Sequence, residues 1–148
     1  MSDFSVQQVK IFKKLFAHPP VSAGLGIPEK FILKFVLFEA SVRLVGHYYR
    51  ERTTPQKKTN AHIPLDISVV KRSFAYFGIL VADERLALLL GSNLTRRNTK
   101  SARNLRNGLA HHWKVEDVKE VTRRYDEIFS ALENVIDVIK VRVDCAKK

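Results

Sequence analysis

Apolar residues recur at steps of three and four along most of this chain, a period that suits helices and fits strands poorly. The pattern is clearest near the end. Val118, Val121, Tyr125, Ile128, Leu132, Val135, Ile139 and Val143 predict a single helix over 116–144. Phe4, Val9, Phe12, Leu15 and Phe16 predict a first helix over 3–17. Pro28 suits the first turn of a second helix running to about Arg52. Asp66 is expected to cap a third helix through Phe77, and Asp83 a fourth through Leu90. A fifth is expected over 95–112. The stretches His18–Pro28 and Thr53–Pro64 are rich in Pro, Gly, Thr or Asn and read as loops. Ile67–Val70 and Phe77–Val81 are β-branched enough that a short strand competes there. The expected fold is all-α, a bundle of about five or six helices. One domain over 1–148 is expected, because 148 residues supply one core and not two.

Composition narrows the classes further. The chain is 45% apolar and 28% charged, which fits a packed protein and not a disordered one. Lys34, Glu39, Arg43 and His47 interrupt the longest apolar stretch, Phe31–Tyr49, which argues against a membrane span. The opening MSDFSVQQVKIFKK lacks the apolar block of a signal peptide. The single cysteine, Cys145, excludes an internal disulfide and a cysteine-based zinc cluster. A cytoplasmic location is expected.

The net charge is +11, and it is segregated. Residues 40–114 hold 14 Lys+Arg against 4 Asp+Glu, whereas 115–148 hold 7 against 8. Ser92–Lys114 contains six basic residues and no acidic one. Such segregation predicts a binding face for an anionic partner, with nucleic acid first among candidates.

The fifth helix concentrates the signal. On an ideal wheel of about 100° per residue, Ala102, Leu109 and His112 fall within about 60° of Leu105, the core-facing arc. Arg96, Lys100, Arg103 and Asn107 fall at roughly 160–220°, while Arg106 and His111 flank that arc near 100° and 240°. Asn107 lies one turn before His111. His112 therefore reads as a half-buried structural histidine. His111 reads as a group able to exchange protons with a bound ligand. Arg106 and His111 do not form a tight pair on an ideal helix. Either the arginine reaches around, with Gly108 loosening the helix, or two copies of the helix face each other in a symmetric dimer.

Asn104-Leu-Arg106-Asn107-Gly-Leu-Ala-His111-His112 resembles the signature of the HEPN superfamily (higher eukaryotes and prokaryotes nucleotide-binding), here in its Arg-Asn-x-x-x-His form. The resemblance implies a small helical bundle that commonly dimerises. It also implies a metal-independent endoribonuclease needing no cofactor, of the kind found as toxins of toxin–antitoxin pairs and in phage defence. Some members of the superfamily act only as binding modules. One branch carries a modifiable tyrosine two residues after the histidine. Trp113 stands there in this chain and reads as a packing residue.

The implied site is catalytic Arg106, His111 and Asn107. On the second helix Glu39, Arg43, His47 and Arg50 form one polar stripe. Two readings compete for it. It is either an exposed seam with a Glu39–Arg43 pair, or a supporting wall in which Glu39 holds Arg106, as early-helix acidic or polar residues do in several HEPN families. Arg96, Lys100, Arg103, Arg43 and His47 are the candidate RNA contacts. An acidic antitoxin protein is a further expected partner, from charge alone. The competing classes are a non-catalytic HEPN-type module that binds RNA or protein, and a basic DNA-binding protein. The latter leaves Asn107 and His111 without a task. No P-loop, His-Glu-x-x-His or serine-nucleophile signature is present.

Overall fold

Ser5 opens the first helix by accepting from the backbone N–H of Gln8 (3.2 Å), while the Gln8 side chain accepts from the N–H of Ser5 (2.8 Å). The computed structural model describes residues 2–19, 23–54, 63–91 and 99–146. Among these residues seven helices follow in order: α1 (Val6–Ala17), α2 (Ile27–Thr53), α3 (Ile67–Tyr76), α4 (Asp83–Leu90), α5 (Ala102–His112), α6 (Val115–Arg123) and α7 (Tyr125–Cys145). The all-α expectation holds, and no strand occurs among the described residues. Residues 67–70 lie within α3, and 77–81 form a turn and an irregular link.

The 27-residue α2 is the central element. It packs against α1, α3, α5, α6 and α7. Phe31, Phe35, Phe38 and Val45 line its buried side, facing Leu105, Leu109, Leu132 and Ile139 among others in one continuous core. Gly46 lets the link before α3 approach closely, because a Cβ there would lie 2.7 Å from Ile63 Cγ2.

The expected helix over 116–144 is broken in two at Arg124 (φ −106°, ψ 19°). Arg124 is 5% exposed, and its Nη1 donates to the carbonyl of Lys100 (2.8 Å). That tertiary bond, flanked by Glu120 at 3.4 Å and Glu127 at 3.9 Å, fixes the kink. The buried stripe still runs through the break, with Val121 before it and Ile128 after it. This split raises the count above the expected five or six.

Two helix starts also differ. Asp66 does cap α3, accepting from Ser68 N–H at 2.8 Å. Asp83, however, is the first residue of α4, with Ala82 at the cap, so its carboxylate acts on the helix dipole and not as a cap. The fifth helix begins at Ala102 because Ser101 captures the N–H of Asn104 (3.2 Å) and donates to Gly91 O (2.6 Å), tying α5 to the end of α4.

Candidate active site

α5 is held against α2 by Leu105 and Leu109, both buried. With that face fixed, Arg106 projects toward α2. Its Nη2 lies 3.4 Å from Glu39 Oε1, and its guanidinium carbon sits 5.1 Å from the ring centre of Phe35. Phe35, Glu39 and Arg43 follow at steps of four and occupy one row of α2. Arg43 donates to Glu39 Oε2 from Nη2 (2.7 Å) and Nε (3.2 Å), and also donates to the carbonyl of Ile63. Glu39 therefore contacts both arginines at once, one through each carboxylate oxygen, and the stripe is not an exposed seam at this residue. The Arg106 and Glu39 side chains are only 22% and 18% exposed, so their attraction is less screened than that of a surface pair. Arg106 Nε is buried with no hydrogen-bond acceptor.

Arg103, Asn107 and His111 form a row down the outer side of α5 at steps of four. Arg103 is partly engaged, with Nη1 donating to Leu65 O at 3.3 Å. Its charge is also the last of the influences that hold the Asp66 carboxyl below its ordinary range, after the Ser68 hydroxyl and amide and the Val69 amide. Asn107 is half-buried, and His111 is exposed on the last turn. The structure thus joins Arg106 to Glu39, Arg43 and Phe35, and sets His111 and Asn107 on the adjoining outer face of α5.

Several expected positions are corrected. His112 is exposed, not half-buried, because the chain turns away at Trp113, immediately after it. Trp113 does not pack in the core; it is 48% exposed. Gly108 does not loosen the helix. A Cβ at Gly108 would lie 1.8 Å from Asp117 Oδ2, so the glycine admits the α6 carboxylate against the α5 backbone. Lys100 lies just before α5, and its Nζ pairs with Asp117 Oδ1 at 2.8 Å instead of standing in an open stripe. Arg96 lies outside the described residues. His47 pairs with Glu51 at 3.0 Å.

Asp117 and Phe35 are the site neighbours that sequence reasoning missed. The Asp117 side chain is 2% exposed, and its Oδ2 lacks a hydrogen-bond partner. A glycine inside a helical pattern is a signal of close approach, and Gly108 carried it. Phe35 was visible as the residue four before Glu39.

Two grooves lie elsewhere. One of about 910 Å³ runs between α4 and α7. Asp83, Glu84 and Glu127 are on its walls, and Arg85 there is bonded to Asn134 (2.9 Å). An acidic rim suits no polyanion, and no expected site residue lines it. The other, about 590 Å³ between α1 and α2, has Ile11, Leu15, Leu44 and Ile63 on its walls, together with Arg43 and His47. Those two expected RNA contacts thus line, with Lys14, a mainly apolar groove. Among the described residues no three His, Cys, Asp or Glu side chains gather as a metal site, and no helix is long and apolar enough to cross a membrane. No family model matches the chain, and no curated protein or solved structure is significantly similar to it.

Proposed function

We propose that this chain is a HEPN-type, metal-independent endoribonuclease acting on RNA in the cytoplasm as a symmetric homodimer. The observation that carries the reading is the Arg106–Glu39 pair. It places the arginine of an Arg-Asn-x-x-x-His helix against a carboxylate of the central helix, where its guanidinium is oriented before any substrate arrives. RNA supplies its own nucleophile. The 2′-hydroxyl oxygen attacks the adjacent phosphorus, and the bond to the 5′-oxygen breaks. An imidazole takes the 2′ proton, and an imidazolium returns one to the leaving oxygen. His111 serves this exchange, and a symmetric pair of chains supplies two such rings. Arg106 offsets the charge growing on the phosphorane. Asn107, one turn before His111, orients the ring or the scissile phosphate. Arg103 and Arg43 contribute positive charge around the site, with Lys100 and His47 as further candidate RNA contacts.

A toxin or phage-defence role suits this activity, and the basic middle of the chain suits neutralisation by an acidic antitoxin protein. The second reading is a HEPN-type module that binds without cleaving. It is favoured by one observation, that Arg106 turns toward α2 while His111 lies exposed on the outer face of α5. The experiment that separates the two replaces the ribose at the cleavage position with 2′-deoxyribose. Cleavage of the all-ribose strand to 2′,3′-cyclic phosphate and 5′-hydroxyl ends, with the substituted strand bound but uncut, supports the nuclease. Binding of both strands with cleavage of neither supports the module.

A further inference from the structure

His111, His112, Trp113 and Lys114 are consecutive and all exposed at the corner joining α5 to α6. Trp113 sits in the left-handed region (φ 48°, ψ 49°) and is the one non-glycine among the described residues with positive φ. That conformation favours glycine or asparagine and crowds a bulky side chain. About half of the indole remains open to solvent. Its amide closes α5 by donating to Leu109 O (3.2 Å), while the ring stacks on no other ring among the described residues. Lys114 forms no ion pair with another described residue, and Asp117 is turned inward onto Lys100. Glu116, in the first turn of α6, is the acidic residue left near the corner. The corner therefore exposes a flat π-face, two imidazoles and an ammonium on four consecutive residues, the first of which, His111, ends the outer row of α5.

We propose that Trp113 is a stacking platform for an unpaired RNA base, seating a nucleobase two residues from His111; this rests on the endoribonuclease reading above. Every base presents a π-face, so such a platform tolerates any sequence. It demands a splayed base, because the bases of an A-form duplex are stacked on one another and shielded in its grooves. The substrate class is accordingly single-stranded RNA or the loop of a folded RNA, with Lys114 meeting the neighbouring phosphate.

Trp113 is the only tryptophan in the chain, so intrinsic fluorescence reports this one indole. The full-length His111→Ala protein is titrated with an unstructured oligoribonucleotide, and with the same strand annealed to its complement. The single strand is expected to quench the emission and the duplex to leave it unchanged. Trp113→Ala in the same background should bind the single strand roughly 5- to 150-fold more weakly, with Trp113→Phe retaining most of the affinity. Trp113→Gly should lose affinity like the alanine variant while melting at a higher temperature, because glycine relaxes the left-handed turn. A packing residue would lose stability in both. Binding without quenching, unchanged affinity in Trp113→Ala, or equal quenching by duplex overturns the platform, and wild-type cleavage of RNA in those cases leaves the nuclease reading standing. A Trp113→Ala protein that loses self-association but not RNA affinity also overturns it, in favour of a protein interface. Wild-type protein that neither binds nor cuts RNA overturns both.

Discussion

Glu39 bridges two arginines: Oε1 faces Arg106 Nη2 at 3.4 Å, and Oε2 accepts from Arg43 Nη2 at 2.7 Å. The contact with Arg106 joins α2 to α5, so this carboxylate reads the position of the motif helix. Its neighbour Phe35 closes the other side of the guanidinium. Substituting Glu39 should therefore act on catalysis more than on folding. Glu39→Ala is expected to cost about 1 kcal/mol of stability, as for partly exposed ion pairs. It should lower kcat about 10- to 100-fold with little change in KM, the signature of a misplaced group and not of lost binding. Glu39→Gln, which keeps an acceptor oxygen, should fall between. Steady-state cleavage kinetics and urea melts check both, and an unchanged kcat in the alanine variant removes Glu39 from any positioning role.

Gly108 and Asp117 form a tight tertiary fit between α5 and α6. A methyl group at 108 must displace the buried carboxylate, so Gly108→Ala should destabilise by about 2 kcal/mol or more despite the better helix propensity of alanine. Removing the carboxylate with Asp117→Ala should restore room for the methyl. The double variant is then expected to be more stable than the sum of the single losses, by about 1 kcal/mol or more. Chemical denaturation of the four proteins measures the coupling, and additive losses would contradict the contact.

Tyr48 lies in the aromatic cluster of Phe4 and Phe12. Burial first, and the Glu51 charge second, push its phenol up to about 12. The neutral ring is the form favoured by the fold. Its contribution is therefore complete below pH 10, the ordinary phenol value, and is lost as pH climbs from 10 toward 12. Ultraviolet titration should show one of the four tyrosines ionising last, with unfolding following it. Tyr48→Phe should remove that late step.

The helical framework was legible because its signals are local. The three-four spacing, Asp66 before α3 and Pro28 at the start of α2 each act within one turn. What escaped reading was set by contacts distant in sequence. Nothing near Arg124 announces a break, for the kink is made by a guanidinium reaching the Lys100 carbonyl 24 positions away. His112 was misplaced for a related reason. Its angle on the wheel matches Leu105 and Leu109, yet the chain leaves the core one residue later, so the angle carries no burial. Lys100 looked like part of a basic stripe until Asp117, invisible as a partner from sequence, was folded against it. At the site, the Arg106–Glu39 contact was one of two readings, and the Glu39–Arg43 pair was the other. The carboxylate makes both.

The central claim is that His111 and Arg106 act on one phosphodiester. The most direct measurement incubates unstructured RNA with purified protein in EDTA, comparing wild type with His111→Ala and Arg106→Ala, each shown by circular dichroism to keep its helices. The account predicts cleavage by wild type, with ends bearing 2′,3′-cyclic phosphate, and loss of at least about 100-fold in either variant. Cleavage undiminished in the folded His111→Ala protein, or none by wild type on any RNA, would contradict it.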